Sequence, residues 1–197
     1  MTDYDVVVIG AGPTGENVAD RAVRGGLTAV IVESELVGGE CSYWACMPSK
    51  ALLRPVAAVS EATHLEGVHG AQLDPPGVLD RRDSFASHWD DDGQVKWLSG
   101  AHIGLVRGRG RLTGPKTVSV SPAEGPPLEL RARQAVVIAT GTRAAVPPIP
   151  GLAEARPWTS REATSAHEVP RRLAIIGGGV VGSEMAHALR LLETYGL

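Results

Sequence analysis

An α/β protein built on a parallel sheet is what this sequence predicts, and three observations carry the prediction. First, an apolar run, Val6-Val7-Val8-Ile9, leads straight into the glycine-rich turn Gly10-Ala11-Gly12-Pro13-Thr14-Gly15. Helical spacing follows over residues 14–24 and stops at Gly25-Gly26. Second, residues 27–32 form another apolar, β-branched run that ends at Glu33, which completes a strand, turn, helix, strand unit. Third, the opening recurs: residues 173–176 read as a strand, Gly177-Gly178-Gly179-Val180-Val181-Gly182 as a turn and residues 180–192 as a helix. Parallel neighbours need a crossover of this kind, so the sheet is expected to be parallel.

Both turns have the spacing of a dinucleotide fingerprint. Gly10 permits a tight turn, Gly12 a close approach of backbone to a pyrophosphate, and Gly15 close packing of helix on strand. The helix amino end favours phosphate charge, and Pro13 and Thr14 complete the set of candidate cofactor-binding residues in the turn. Glu33, eighteen residues after Gly15, is placed to accept ribose hydroxyls. A structural glycine turn with a surface glutamate is the competing reading, and the strand context counts against it. Gly177, Gly179 and Gly182 repeat the logic for a second dinucleotide. The chain therefore reads as a Rossmann-like domain followed by the first βα unit of another.

Between these anchors, residues 49–64 have helical apolar spacing, and residues 66–84 mix Gly, Pro, Asp and Arg in the manner of an irregular connection. Residues 85–98 suggest a further helix. Short strands over 103–106, 117–120 and 128–130, separated by Gly-Pro and Pro-Pro turns, predict a β-meander. Residues 134–139 return to a buried-strand pattern that enters Thr140-Gly141-Thr142, and Pro147-Pro148-Ile149-Pro150-Gly151 is a linker. The boundary is placed there, giving a first domain over 1–150 and the start of a second over 151–197.

Composition excludes several function classes. A formal net charge of -3 supplies no general attraction for nucleic acid or anionic lipid, and the run Arg107-Gly-Arg109-Gly-Arg111 is short enough to read as a solvated strand edge. Glycine and charge interrupt every apolar stretch before it reaches the length that spans a bilayer. The first residues run directly into a strand with no basic region or signal-type segment, which makes cytoplasmic residence the expectation.

Residues 38–50, Gly-Gly-Glu-Cys-Ser-Tyr-Trp-Ala-Cys-Met-Pro-Ser-Lys, hold the only two cysteines, Cys41 and Cys46. A zinc half-site, a structural disulfide, two unrelated thiols and a redox pair are the readings of such a pair. A cytoplasmic protein without a second ligand pair argues against the first two, and no zinc-site spacing joins His64 or His69 to the cysteines, so no metal site is expected. Cys46 near a helix start would gain thiolate stability from the helix dipole, and Pro48 helps begin that helix. Two dinucleotides and one dithiol imply electron transfer. His88, His102, His167 and His187 show no arrangement with an acid that would mark a general base.

The cysteine block is similar to the Gly-Gly-x-Cys-x-x-x-x-Cys-x-Pro-Ser-Lys redox helix of the class I flavoprotein disulfide reductases, the family of dihydrolipoamide dehydrogenase, glutathione reductase and mercuric reductase. With both fingerprints in this order, the resemblance covers the whole chain. It implies FAD at the first fingerprint, with Gly39 and Lys50 beside it and Ala139-Thr140-Gly141 contacting it as the chain leaves the flavin domain. It implies NAD or NADP at the second. Cys46 matches the family's charge-transfer thiol and Cys41 its interchange thiol, while Lys50 and Glu184 match an ion pair beside the flavin. Electrons would pass from NAD(P)H through FAD to the Cys41–Cys46 disulfide and on to a small-molecule disulfide, lipoamide-like or related. Trp44 departs from the smaller residues common in that loop. The family continues past residue 197 with the rest of its nicotinamide domain, its acid-base histidine and a dimer-forming domain. The resemblance thus implies an amino-terminal fragment, and a non-catalytic FAD-binding remnant is the alternative. No oligomeric state follows from these residues.

Overall fold

A computed structural model describes residues 2–195, without the side chains of Leu191, Thr194 and Tyr195. Its strands are β1 (Thr2–Ile9), β2 (Ala29–Glu33), β3 (Gly104–Arg107), β4 (Arg109–Gly114), β5 (Thr117–Ser121) and β6 (Leu128–Ile138). Its helices are α1 (Pro13–Arg24), α2 (Gly39–Tyr43), α3 (Cys46–Thr63), α4 (Pro75–Phe85), α5 (Asp92–Gly100), α6 (Ser160–Thr164) and α7 (Val180–Tyr195). One sheet takes the order β3-β2-β1-β6-β5-β4, parallel from β3 to β6 and antiparallel from β6 to β4. The chain divides into two compact units, one made of the chain up to Cys41 with Trp89–Thr142, the other of Ser42–His88 with the chain from Arg143 onward.

The first unit is the sheet and its two covers. Side chains of a strand alternate between faces, and β1 and β2 use that alternation completely. Val6, Val8, Ala29 and Ile31 face one core with Ala19 of α1 and Leu98 of α5. Val7, Ile9, Val30 and Val32 face another with Val118, Val120, Leu130 and Ala132 of the meander. Burial on both faces is why these strands read as continuous apolar runs. Each fully buried Val or Ile side chain contributes about 1.5–3 kcal/mol. The second unit is helical, with Leu52 and Val56 of α3, Val78 and Leu79 of α4, and Met185, Ala188 and Leu192 of α7 in one core.

The structure departs from the sequence reading in five places. The stretch 66–84 is an irregular connection only as far as Asp74; from Pro75 it is α4, which Asp74 caps by accepting from the Gly77 N–H at 3.2 Å, with Pro75 and Pro76 in the first turn. A proline there sacrifices no helical hydrogen bond. The helix expected over 85–98 is instead the end of α4, a 3-10 turn at Ser87–Trp89 and α5. Residues 104–107 pair with β2 and leave the meander to β4, β5 and β6, and the segments read at 128–130 and 134–139 are one strand, β6. Residues 173–176 form no strand among the described residues, although the turn and helix after them form. A strand exists by its ladder, and Leu173, Ile175 and Ile176 are exposed.

Candidate functional site

In the first unit, the strand-to-helix turn is closed by its own carbonyls and by β6. Gly10 has φ +104° and donates its N–H to Val32 O at 2.8 Å. The Ala139 N–H donates to Ile9 O at 2.8 Å, so the end of β6 lies against the turn, and a Cβ on Gly10 would strike the Ala139 carbonyl. A Cβ on Gly15 would strike the Gly10 carbonyl, which is the close helix-on-strand packing that the spacing required. Gly12 differs, because nothing lies within 4 Å of where its Cβ would be, and no side chain caps α1. Open space at Gly12 and an uncapped helix amino end together form a cradle that a pyrophosphate fits.

The turn is also held from β2. Glu33 accepts from the Ala11 N–H at 2.7 Å and from the Glu35 N–H at 2.8 Å, one to each carboxylate oxygen. Each oxygen keeps acceptor capacity for a hydroxyl. The Gly38 N–H donates to Ala11 O at 2.8 Å, and a Cβ on Gly39 would come within 2.9 Å of the Gly12 Cα. Two residues escaped the sequence reading: Asp91 accepts from the Val37 N–H at 2.7 Å and from Arg107 at 2.5 Å, while Arg107 also donates to Glu35 O at 2.6 Å. Together they fix the segment that delivers Gly38 and Gly39 to the glycine turn. Arg107 is thus a structural tether as well as an exposed side chain, and Arg109 and Arg111 of the same run are exposed with it. Within α1, burial pushes the Glu16 carboxyl upward.

Cys41 lies on α2 and is half-buried; Cys46 is the first residue of α3 and is exposed, and neither is in a disulfide. In the second unit Lys50 Nζ stands 2.6 Å from Glu184 Oε1 and 3.2 Å from Ser49 Oγ. That hydrogen bond from Lys50 is the main cause holding the Glu184 carboxyl below its ordinary range. The residues are 134 apart in sequence, so only tertiary packing joins them. The second glycine turn repeats the first in outline. Gly177 has φ +103°, a Cβ on Gly182 would meet Gly177 O at 2.6 Å, and nothing lies within 4 Å of the Cβ positions of Gly177, Gly178 or Gly179.

The family described as pyridine nucleotide-disulphide oxidoreductase matches residues 4–194. The chain belongs to that family. Among curated relatives, dihydrolipoyl dehydrogenase 3 of Pseudomonas aeruginosa is 38% identical over 98% of this chain and 42% of its own length. Dihydrolipoyl dehydrogenase of Chlorobaculum tepidum is 36% identical over 93% of this chain and 39% of its own length. Among solved structures, the Cu(II) complex of the HOCl-induced flavoprotein disulfide reductase RclA from Escherichia coli superposes with a TM-score of 0.79 at 25% identity, over 97% of this chain and 41% of that one. The chain spans about two fifths of the length of the relatives it matches. The family is FAD-dependent and uses a nicotinamide dinucleotide. No helix among the described residues is long and apolar enough to cross a membrane, and no cluster of three or more His, Cys, Asp or Glu could hold a metal ion among them.

Proposed function

We propose that this chain carries the FAD-binding and dithiol-bearing part of an NAD(P)H-dependent disulfide oxidoreductase acting on a small-molecule disulfide of the lipoamide kind. The observation that carries the reading is the glycine turn with Gly12 open and α1 uncapped, followed within one chain by Cys41 on α2 and Cys46 at the start of α3. FAD, when bound, supplies the two-electron relay between NAD(P)H and the dithiol. The chain's own residues have distinct tasks. Gly10, Gly12, Pro13, Thr14 and Gly15 receive the pyrophosphate, Glu33 holds the turn and accepts ribose hydroxyls, and Gly39 with Ala139-Thr140-Gly141 flanks the cofactor. Lys50 and Glu184 serve as the ion pair at the flavin, and Gly177, Gly179 and Gly182 receive the nicotinamide dinucleotide's pyrophosphate. Cys41, as thiolate, attacks the substrate disulfide and forms a mixed disulfide. Cys46 then displaces the second product thiol, so two electrons and two protons leave the pair and the Cys41–Cys46 disulfide remains.

The test is anaerobic. The oxidised chain is mixed with FAD, titrated with NADH and separately NADPH, and its thiols are counted before and after. Two new thiols in the presence of FAD, and none in Cys46→Ala, are the expected result; bound flavin with no new thiols overturns the electron path. A second reading is a FAD-binding remnant without turnover. It is favoured by the unpaired, exposed segment at 173–176 before the second glycine turn. It predicts flavin binding with no thiol release by either nicotinamide.

A further inference from the structure

Trp44 stands between the two cysteines in sequence, and α6 grips it twice. The Thr164 hydroxyl lies 2.9 Å from Trp44 O and 2.9 Å from Ser160 O, so its one proton is shared between the redox loop and its own helix. The Arg161 guanidinium lies over the indole at 4.1 Å from the ring centroid. The helix making these contacts is itself fixed at both ends. Thr159 and Glu162 form a reciprocal capping box at its start. At its close, Arg82 of α4, only 1% exposed, donates to Thr164 O and, at 2.9 Å, to Ala166 O. The same guanidinium pairs with Asp83 at 2.5 Å, so its buried charge is partnered by a carboxylate while its other N–H groups hold one carbonyl at the end of α6 and one just past it. The element it secures is the one holding the loop.

We infer that α6 is the positioning element of the redox loop, with Thr164 and Arg161 as positioning residues that set the thiol–disulfide equilibrium of Cys41 and Cys46 through Trp44. This deepens the dithiol reading above and rests on it. Closing a disulfide orders the residues between its cysteines, and a loop already held in the reduced state has less freedom to lose. Releasing Trp44 therefore favours the dithiol.

The experiment equilibrates the chain in glutathione buffers, quenches it by alkylation and measures the fraction oxidised. Oxidised glutathione takes the two electrons and two protons that Cys41 and Cys46 give up, one S–S bond forming in the chain as one breaks in glutathione. Thr164→Val and Arg161→Ala are each expected to shift the equilibrium toward dithiol by about three- to tenfold, or about 15–30 mV, with far-UV circular dichroism unchanged. Thr164→Ser, which keeps the hydroxyl, is expected within about twofold of wild type. Arg161→Ala, on a half-buried side chain, carries the test where Thr164→Val does not fold. Folded variants with a wild-type equilibrium overturn the positioning role, as does a Thr164→Ser shift equal to that of Thr164→Val. A wild-type chain that forms no Cys41–Cys46 disulfide in any buffer overturns the dithiol reading itself, and the inference with it.

Discussion

The two glycine turns have the same backbone and different surroundings. Gly10 and Gly177 share a φ within one degree, +104° and +103°, and both following helices start with the same hydrogen bond, Glu16 N–H to Gly12 O and Ser183 N–H to Gly179 O, each at 3.0 Å. Yet Gly10 is walled by Ala139 of the closing strand, whereas nothing comes within 4 Å of a Cβ on Gly177. The fingerprint spacing alone therefore dictates the turn's conformation, and the neighbouring strands decide how strongly that conformation is enforced. A turn held by sheet and carboxylate is preorganised for its ligand, and one held by local geometry alone is not.

Substituting the matched glycines gives the largest expected separation. Gly10→Ala adds a collision with the Ala139 carbonyl to left-handed backbone strain, roughly 2–6 kcal/mol in all, while Gly177→Ala adds the strain alone, about 1–3 kcal/mol. Urea unfolding checks this, and equal midpoints would show that the closing strand does not enforce the first turn.

Next in size is Glu33→Gln, which replaces two charged acceptors for the Ala11 and Glu35 N–H groups by one neutral carbonyl. Hydrogen bonds to a charged group are worth about 1.5–3 kcal/mol, so FAD affinity by equilibrium dialysis should fall about tenfold or more. Gly12→Ala sharpens the same point, since it has open space and should weaken FAD binding while leaving unfolding within about 0.5 kcal/mol of wild type.

A third prediction concerns the ties beneath the first turn. Asp5 accepts from Arg133 of β6 at 2.8 Å and from the Thr28 N–H and hydroxyl, each at 2.8 Å; the Arg133 bond is the largest cause holding its carboxyl far below the ordinary 3.8. A depressed folded-state value means the contribution is complete above about pH 4 and is lost as pH falls below 3.8 toward the folded-state value. Stability measured from pH 6 to pH 2 should therefore fall more steeply for wild type than for Asp5→Asn. Parallel curves would remove Asp5 from the linkage. The smallest effect belongs to the second unit. Lys50 is 61% exposed, so Glu184→Gln should change stability by no more than about 1 kcal/mol, and less in high salt.

The first unit was legible because its signals are local and mutually consistent. Continuous apolar runs marked strands buried on both faces, and glycine spacing marked the turn. The cysteine block announced itself by type and spacing. What escaped depends on context that a sequence window does not contain. Pro75 and Pro76 break a helix in its middle and start one at its head, and only the Asp74 cap distinguishes the cases. Polar Arg131 and Arg133 made β6 look like two strands, but Arg133 is the partner of Asp5. Asp91, Arg107, Arg161 and Thr164 carry no local signature, since each acts on backbone or rings 16 to 120 residues away or through a helix of five residues. Lys50 and Glu184 became a pair only by resemblance to a family, never by spacing.

Each unit is assembled from two separated stretches, so the chain crosses from one to the other after Cys41, after His88 and after Thr142. No single cut liberates both intact. Ending a polypeptide at Thr142 keeps every strand of the sheet but strands α3 and α4 without α7, the helix that completes their core. Dissection by truncation will therefore misreport the stability of either half. Ligating residue 41 to residue 89 through a short glycine-serine bridge is the edit that would let the sheet be studied alone.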